Sequence, residues 1–215
     1  MPGKDSRFLM KTPELVSSGQ LLVRGAEPRD VPAMARWLSD PKVLEFYHGR
    51  DRAMDEPAVR AHYFVRRRDA SSGRFYEYRA CIVEMQGRPI GFVQYFRPDP
   101  NEAMALGLVG AGRTFGMDLF IGEPALWGKG LGSSLVRLMR DFLVNRRGAD
   151  RIVLDPRVDN LRAIRAYEKA GFRRIRPLPK RELHEGMRCD CWLMEYRGAS
   201  RSGRQAGRLR GGRRR

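Results

Sequence analysis

A single mixed α/β domain is what this chain of 215 residues predicts, and three observations carry that reading. Short β-like runs alternate with amphipathic helical runs along most of the length. A hairpin signal, Gln86-Gly87-Arg88-Pro89, joins two of the β-like runs. A glycine-rich turn, Trp127-Gly128-Lys129-Gly130-Leu131-Gly132, leads from a strand into a helix past mid-chain. With 42% hydrophobic and 9% aromatic residues, the chain buries one core of ordinary size.

In order, residues 21–25 (Leu-Leu-Val-Arg-Gly) read as a strand. Asp30-x-x-Ala33-Met34-x-x-Trp37-Leu38 has helical spacing and stops before Pro41. Residues 59–68 read as a second helix, with Tyr63 and Phe64 on its apolar side. Residues 79–85 and 89–96 are the hairpin strands. Residues 97–114 contain five Gly or Pro and read as a loop. Residues 114–121 form a strand, and Leu135, Leu138, Met139, Phe142 and Leu143 give the next helix its buried stripe. A strand at 151–154 is followed by a helix at 160–170, closed by Gly171 as a left-handed residue. Residues 172–176 and 189–195 supply the last strands. The division that follows is an N-terminal extension at 1–20, a folded domain at 21–196 and a tail at 197–215.

The formal charge of +17 is unevenly spread. The tail carries eight Arg and no acid and residues 1–20 a net +1, which leaves +8 on residues 21–196. So polar a tail is expected to be disordered. It is either a solvated appendage or an electrostatic contact for nucleic acid or another polyanion, and the solvated reading is the simpler. No apolar stretch approaches membrane-spanning length and no signal peptide is evident, so the expectation is a cytoplasmic protein without a membrane partner, monomeric or homodimeric. Cys81, Cys189 and Cys191 lack metal-ligand spacing, and with His48, His62 and His184 the only histidines, no metal is expected.

The glycine-rich turn carries the first chemical inference. A strand, a glycine turn and a helix start make a phosphate cradle, because glycines allow close backbone approach and free N–H groups point at the anion. The alternation of Gly128, Gly130 and Gly132 excludes both the Walker pattern and the G-x-G-x-x-G dinucleotide fingerprint. The bland alternative is an ordinary turn into a helix.

Gly128-Lys-Gly-Leu-Gly132, followed by Asn160-Leu-Arg-Ala-Ile-Arg-Ala-Tyr167-Glu-Lys-Ala-Gly171-Phe172, resembles the GNAT superfamily of N-acetyltransferases. The resemblance implies a central, mostly antiparallel twisted sheet flanked by about four helices, with acetyl-CoA as co-substrate. Within the superfamily the chain is similar to the aminoglycoside 6′-N-acetyltransferases. Trp37-Leu38, residues 43–49, Pro89–Gln94, Gly116-Met117-Asp118, Asp155-Pro156 and the 160–172 run carry that likeness. One departure is Trp127, which stands where the superfamily has Gln or Arg.

The resemblance implies that Trp127, Gly128, Lys129, Gly130, Leu131, Gly132 and Ser133 hold the pyrophosphate, that Phe120 and Ile121 run beside the pantetheine, and that Asn160 reaches the coenzyme. Tyr167 is either a core aromatic or the general acid for the leaving thiolate. Asp118, late in a strand of buried character, is implied as base or anchor of the acceptor amine. An amine near pKa ~10 and an aspartate near ~4 differ by roughly 8 kcal/mol, which favours proton passage through water. Asp155 is either a second catalytic carboxylate or an Asp-Pro turn. Glu45, Phe46, Tyr47 and Tyr63, with Asp118 and Asp155, are the implied walls of the acceptor site.

A small-molecule aminosugar is the implied acceptor. The loop at 103–115 carries no acid, a departure from such relatives, although Asp99 and Glu102 lie just before it. A siderophore precursor of the N-hydroxylysine type, with fewer positive charges, is the close alternative. A nucleic-acid-associated or basic-protein acetyltransferase that relies on the tail is the more distant one.

Overall fold

The computed structural model describes residues 16–64, 78–108, 110 and 112–198. Eight strands form one sheet: β1 (Val16–Ser18), β2 (Leu21–Gly25), β3 (Tyr78–Met85), β4 (Arg88–Phe96), β5 (Thr114–Ile121), β6 (Arg151–Leu154), β7 (Arg173–His184) and β8 (Met187–Arg197). Their spatial order is β1-β2-β3-β4-β5-β6-β8-β7, and β5–β6 is the parallel pair among antiparallel neighbours. Six α-helices accompany them: α1 (Val31–Trp37), α2 (Pro41–Leu44), α3 (Glu56–Tyr63), α4 (Pro100–Ala105), α5 (Leu131–Arg146) and α6 (Leu161–Lys169).

The mixed, mostly antiparallel sheet is as expected, and the differences have local causes. β1 falls inside the expected extension and pairs with β2 from Val16↔Val23 to Ser18↔Leu21. Helix α3 starts earlier than 59 because Asp55 caps it, accepting from the Ala58 N–H at 2.9 Å. The expected continuation of that helix over 65–68 lies outside the described residues, as do residues 1–15 and most of the tail. The loop expected at 97–114 contains α4, whose Asp99 caps the Glu102 N–H at 2.9 Å with Pro100 in the first turn. The hairpin turn places Gln86 and Gly87 at φ of 52° and 73°, the left-handed pair that a tight two-residue turn requires.

Strand β7 runs eight residues past its expected end at Arg176, despite Pro177 and Pro179. It is the sheet's edge strand, where proline costs no ladder partner, and its register breaks between Leu178 and Glu182. This extension folds back along β8 and delivers Arg181 and Glu182 to the middle of the molecule.

Each sheet face has its own apolar core. On one, Leu135, Leu138, Met139 and Leu143 of α5 and Ile164 of α6 pack on Val83, Val93, Phe115, Met117 and Ile152. On the other, Met34, Trp37, Val59 and Tyr63 of α1 and α3 pack on Ile82 and Phe92. Arg24 and Asp30 form a buried bidentate pair at 2.7 Å, with Glu84 at 2.8 Å on the guanidinium, tying β2, β3 and the entry to α1 together. Removing one partner of such a pair costs about 3–5 kcal/mol.

The site is made by a fork in the sheet. β5 pairs with β6 only from Thr114↔Arg151 to Gly116↔Val153, whereas its pairing with β4 runs on to Ile121. Past Gly116 the β6-side edge of β5 is therefore open, and a cleft fills the fork.

Candidate active site

The cleft holds about 870 Å³, towards the upper end of the roughly 300–1,000 Å³ common for small-molecule sites. Met117–Ile121 form one wall and residues 154–157 the other, with α5 and α6 below and segment 46–48 above.

At one end the wall is backbone. Gly128 and Gly130 sit at φ of 76° and 80°, so the turn needs residues without a Cβ penalty there. Helix α5 starts at Gly130 with no side chain capping it, which leaves the first amides, those of Leu131, Gly132 and Ser133, for a ligand. A Cβ built on Gly128, Gly130 or Gly132 would meet nothing within 4 Å, so the cradle is open space. Facing it, Arg162, Arg165 and Lys169 line the cleft from one side of α6.

Trp127 acts here as a pin. Its indole Nε1 donates to the Ile121 carbonyl at 2.7 Å, fastening the turn to the end of β5, and the Arg162 guanidinium stacks over its ring at 3.9 Å. The polar side chain lost at this position is thus replaced by a cation carried on a neighbouring helix. Asn160 caps α6 by accepting from the Ala163 N–H at 3.1 Å, and it also lines the cleft.

At the other end the wall is side chains. Asp118 Oδ2 accepts from Gln94 Nε2 at 2.6 Å, and Gln94 Oε1 accepts from the Tyr78 hydroxyl at 2.7 Å. Burial, with the Asp155 charge close by, pushes the Asp118 carboxyl up to about 7, although the Gln94 hydrogen bond works the other way. Asp155 is ion-paired: Arg181 Nε donates to its Oδ2 at 2.9 Å, and the same guanidinium reaches Glu102 Oε1 at 2.9 Å. Burial and the Asp118 and Asp155 charges push the Tyr167 phenol well above its ordinary range. Tyr167 belongs to both the core, where it is 9% exposed, and the cleft, which it lines.

Phe46 and Tyr47 reach the cleft. Tyr47 packs on Phe120 at 4.7 Å and stacks on His48 at 4.5 Å, and Arg157 ties the segment down by donating to the Glu45 carbonyl at 3.3 Å. Burial beside His62 and Arg52 lowers His48 to about 4, so its ring is neutral.

Three expected residues stand outside the cleft. Glu45 is half-exposed at the end of α2 and pairs with Arg50 at 3.5 Å. Tyr63 shares the buried face of α3 with Val59, and its hydroxyl lies 3.5 Å from that of Tyr47, behind the wall. Lys129, between two left-handed glycines, is exposed to solvent. Cys191 of β8, given no role from the sequence, lines the cleft. Burial, with Asp155 and Glu182 nearby, pushes its thiol up to about 12, so it remains a thiol and no nucleophile.

Gln94 and Arg162 entered the sequence reading only within longer runs, and neither they nor Arg157, Arg181 and Glu182 were given a site role there. The spacing 162-165-169 was readable as one helix face, and Asp99-Pro100-x-Glu102 as a helix start. The partnership of Gln94 with Asp118 depends on strand register, and that of Arg181 with Asp155 on the fold of β7.

The cleft fits acetyl-CoA on its donor set, an uncapped helix start opposed by three cations for phosphates and an open strand edge for an amide-bearing arm. Residues 27–179 match the model of the acetyltransferase (GNAT) domain. The chain is 30% identical over 166 residues to an aminoglycoside N(6′)-acetyltransferase type 1 of Klebsiella pneumoniae, covering 74% of this chain and 76% of that one. A solved AAC(6′)-Ib in complex with ribostamycin and coenzyme A superposes with a TM-score of 0.61 at 25% identity, over 91% of this chain and all of that one (100%). RimL, a ribosomal L7/L12 α-N-protein acetyltransferase in complex with coenzyme A, shares the fold with a TM-score of 0.69 at 16% identity, over 86% and 98% of the two chains.

Proposed function

The chain belongs to the GNAT acetyltransferase family, an acetyl-CoA-dependent N-acetyltransferase, and from that premise we propose that it acetylates the 6′-amine of aminoglycosides and so protects against them. The observation that carries this reading is the convergence of Asp118, Asp155 and Glu182 with the aromatic wall of Phe46 and Tyr47 at one end of the cleft. Carboxylates take ammonium groups and aromatic faces take sugar rings. The likeness to aminoglycoside acetyltransferases supports the same acceptor.

Acetyl-CoA supplies the activated acetyl thioester. The amides at the start of α5 hold its phosphates, with Arg162 stacked on Trp127 as their counter-charge. Asn160 keeps its amide N–H groups for the same ligand, since its oxygen serves the cap. The open edge of β5 at Phe120 pairs with the pantetheine arm, while the Ile121 carbonyl is already engaged by Trp127.

Asp118 receives the proton of the acceptor amine. With its carboxyl at about 7, the gap to an amine near ~10 is about three units, roughly 4 kcal/mol, half of what an ordinary aspartate faces. Direct transfer is then within reach, and Gln94 and Tyr78 hold the carboxylate in place. As the nitrogen bonds to the acetyl carbon and the carbon–sulfur bond breaks, Tyr167 gives its proton to the sulfur. Its raised phenol stays protonated at every working pH. Asp155, neutralised by Arg181, anchors the acceptor instead of moving protons.

Residues 21–196 are the catalytic unit on this reading, in the cytoplasm where acetyl-CoA is available, acting as monomer or homodimer. The tail beyond β8 is dispensable for the chemistry.

Release of free coenzyme A thiol on incubation with kanamycin A and acetyl-CoA tests the reading, with the product located by NMR. Absence of turnover on every aminoglycoside sinks it. One observation favours the N-hydroxylysine-type acceptor: Arg181 cancels part of the negative charge at the acceptor end. The same assay with N-hydroxylysine separates the two.

A further inference from the structure

Arg181 comes from an edge strand far in sequence from the residues it touches, and it occupies the position where an acidic acceptor site would put its ligand's charge. Its Nε meets Asp155 and its Nη2 meets Glu102, both at 2.9 Å, and its side chain is 29% exposed. It lines the cleft beside Asp118, Asp155 and Glu182. The guanidinium is thus a cation already seated among the carboxylates that an aminosugar's ammonium groups would seek. Both contacts are charge-assisted hydrogen bonds, stronger than neutral ones but open to solvent and therefore exchangeable.

We propose that Arg181 is a built-in competitor for the acceptor's secondary ammonium groups, a specificity residue that makes the cleft favour acceptors with few positive charges around the reacting amine. This rests on the aminosugar reading given above. An acceptor with one amine places it at Asp118 and leaves Arg181 undisturbed. One with further ammonium groups near Asp155 must displace the guanidinium or accept its repulsion. The reacting amine, at Asp118, has no such competitor, because the Asp118 hydrogen bond comes from the neutral Gln94 amide. Arg181 therefore acts on KM and on the ranking of acceptors.

The test compares wild type, Arg181→Gln and Arg181→Lys on three acceptors of rising charge: a 6-amino-6-deoxyglucoside with a single amine, kanamycin A, and kanamycin B, which carries one amine more. Arg181→Gln is expected to lower the KM of kanamycin B relative to that of the monoamine by about fivefold, the ratio that one partly exposed ion pair gives. The fall should be smaller for kanamycin A. Arg181→Lys, which keeps the charge, should keep the wild-type ranking.

A purely structural clamp between β7 and α4 would instead lower thermal stability and weaken all three acceptors alike, and that result overturns the proposal. Turnover of kanamycin A by wild type with an unchanged ranking in Arg181→Gln overturns this inference and leaves the aminoglycoside reading standing. Gain of kanamycin turnover by Arg181→Gln alone supports the inference and removes the reading of the native acceptor. No kanamycin turnover by either protein overturns both.

Discussion

The two ends of the cleft are built by different means. The coenzyme end is made of main chain: glycines at positive φ, an uncapped helix start and the open edge of β5, all within residues 117–133. The acceptor end is made of side chains: Gln94 from β4, Asp118 from β5, Asp155 after β6, Arg181 and Glu182 from β7, and Glu102 from α4. A main-chain site offers fixed donors at fixed spacing, which suits a constant ligand such as a diphosphate. A side-chain site sets charge and shape piece by piece, which suits an acceptor that differs between related enzymes. The two ends should therefore fail separately.

The largest expected effect is at the acceptor end. Asp118→Asn should lower kcat by about 10²–10³-fold while the affinity for coenzyme A, measured by calorimetry, stays within about twofold. The pH profile sharpens this. Because the base must be ionised and its carboxyl sits at about 7, the wild-type kcat should rise with pH through about 7, and the variant should lose that inflection. An inflection near 4 would mean that burial does not set the carboxyl. The same raised value has a stability sign: the folded state prefers the protonated form, so its contribution is present at low pH and lost as pH rises through about 7. Asp118→Asn should therefore raise Tm at about pH 8 and leave it unchanged near pH 4.

Next comes the coenzyme end. Gly130→Ala forces a Cβ onto a left-handed residue, a strain of about 1–2 kcal/mol, and should weaken coenzyme A by about five- to thirtyfold. The acceptor KM should not move. If it did, the two ends would not be separate.

Tyr167→Phe should lower kcat by about tenfold, less than a general acid commonly contributes, because water replaces the phenol. Lost coenzyme binding instead would point to its packing against Phe172. Smallest is Arg162→Ala, which removes the cation over Trp127 and should raise the coenzyme A Kd by about two- to fivefold, an effect that added salt should mask.

Much of the coenzyme end was legible in the sequence. Gly128 and Gly130 announce their left-handed conformations by being glycine, and Asn160 and Gly171 mark the ends of α6. Helix α4 was legible too, through Asp99-Pro100-x-Glu102, but the surrounding glycines and prolines masked it. Glu45 and Lys129 sit next to cleft residues in sequence and Tyr63 has suitable chemistry, yet the side of the chain on which each falls is set by packing. The length of β7 was hidden because Pro177 and Pro179 signal a break, and an edge strand tolerates them.

By itself the sequence determined the order of the main strands and helices, though not β1, α2 or α4, together with the glycine turn and the presence of a carboxylate in a buried strand. These follow from backbone preferences and apolar periodicity, which act over a few neighbouring residues. The tertiary structure alone decided how the surroundings of the two carboxylates differ. Asp118 titrates near 7 because burial and the neighbouring Asp155 disfavour its charged form, whereas Asp155 is ion-paired with Arg181, a residue 26 positions away in the chain. Ion pairing and desolvation depend on distances of a few ångströms between strands, and only the folded sheet sets those distances.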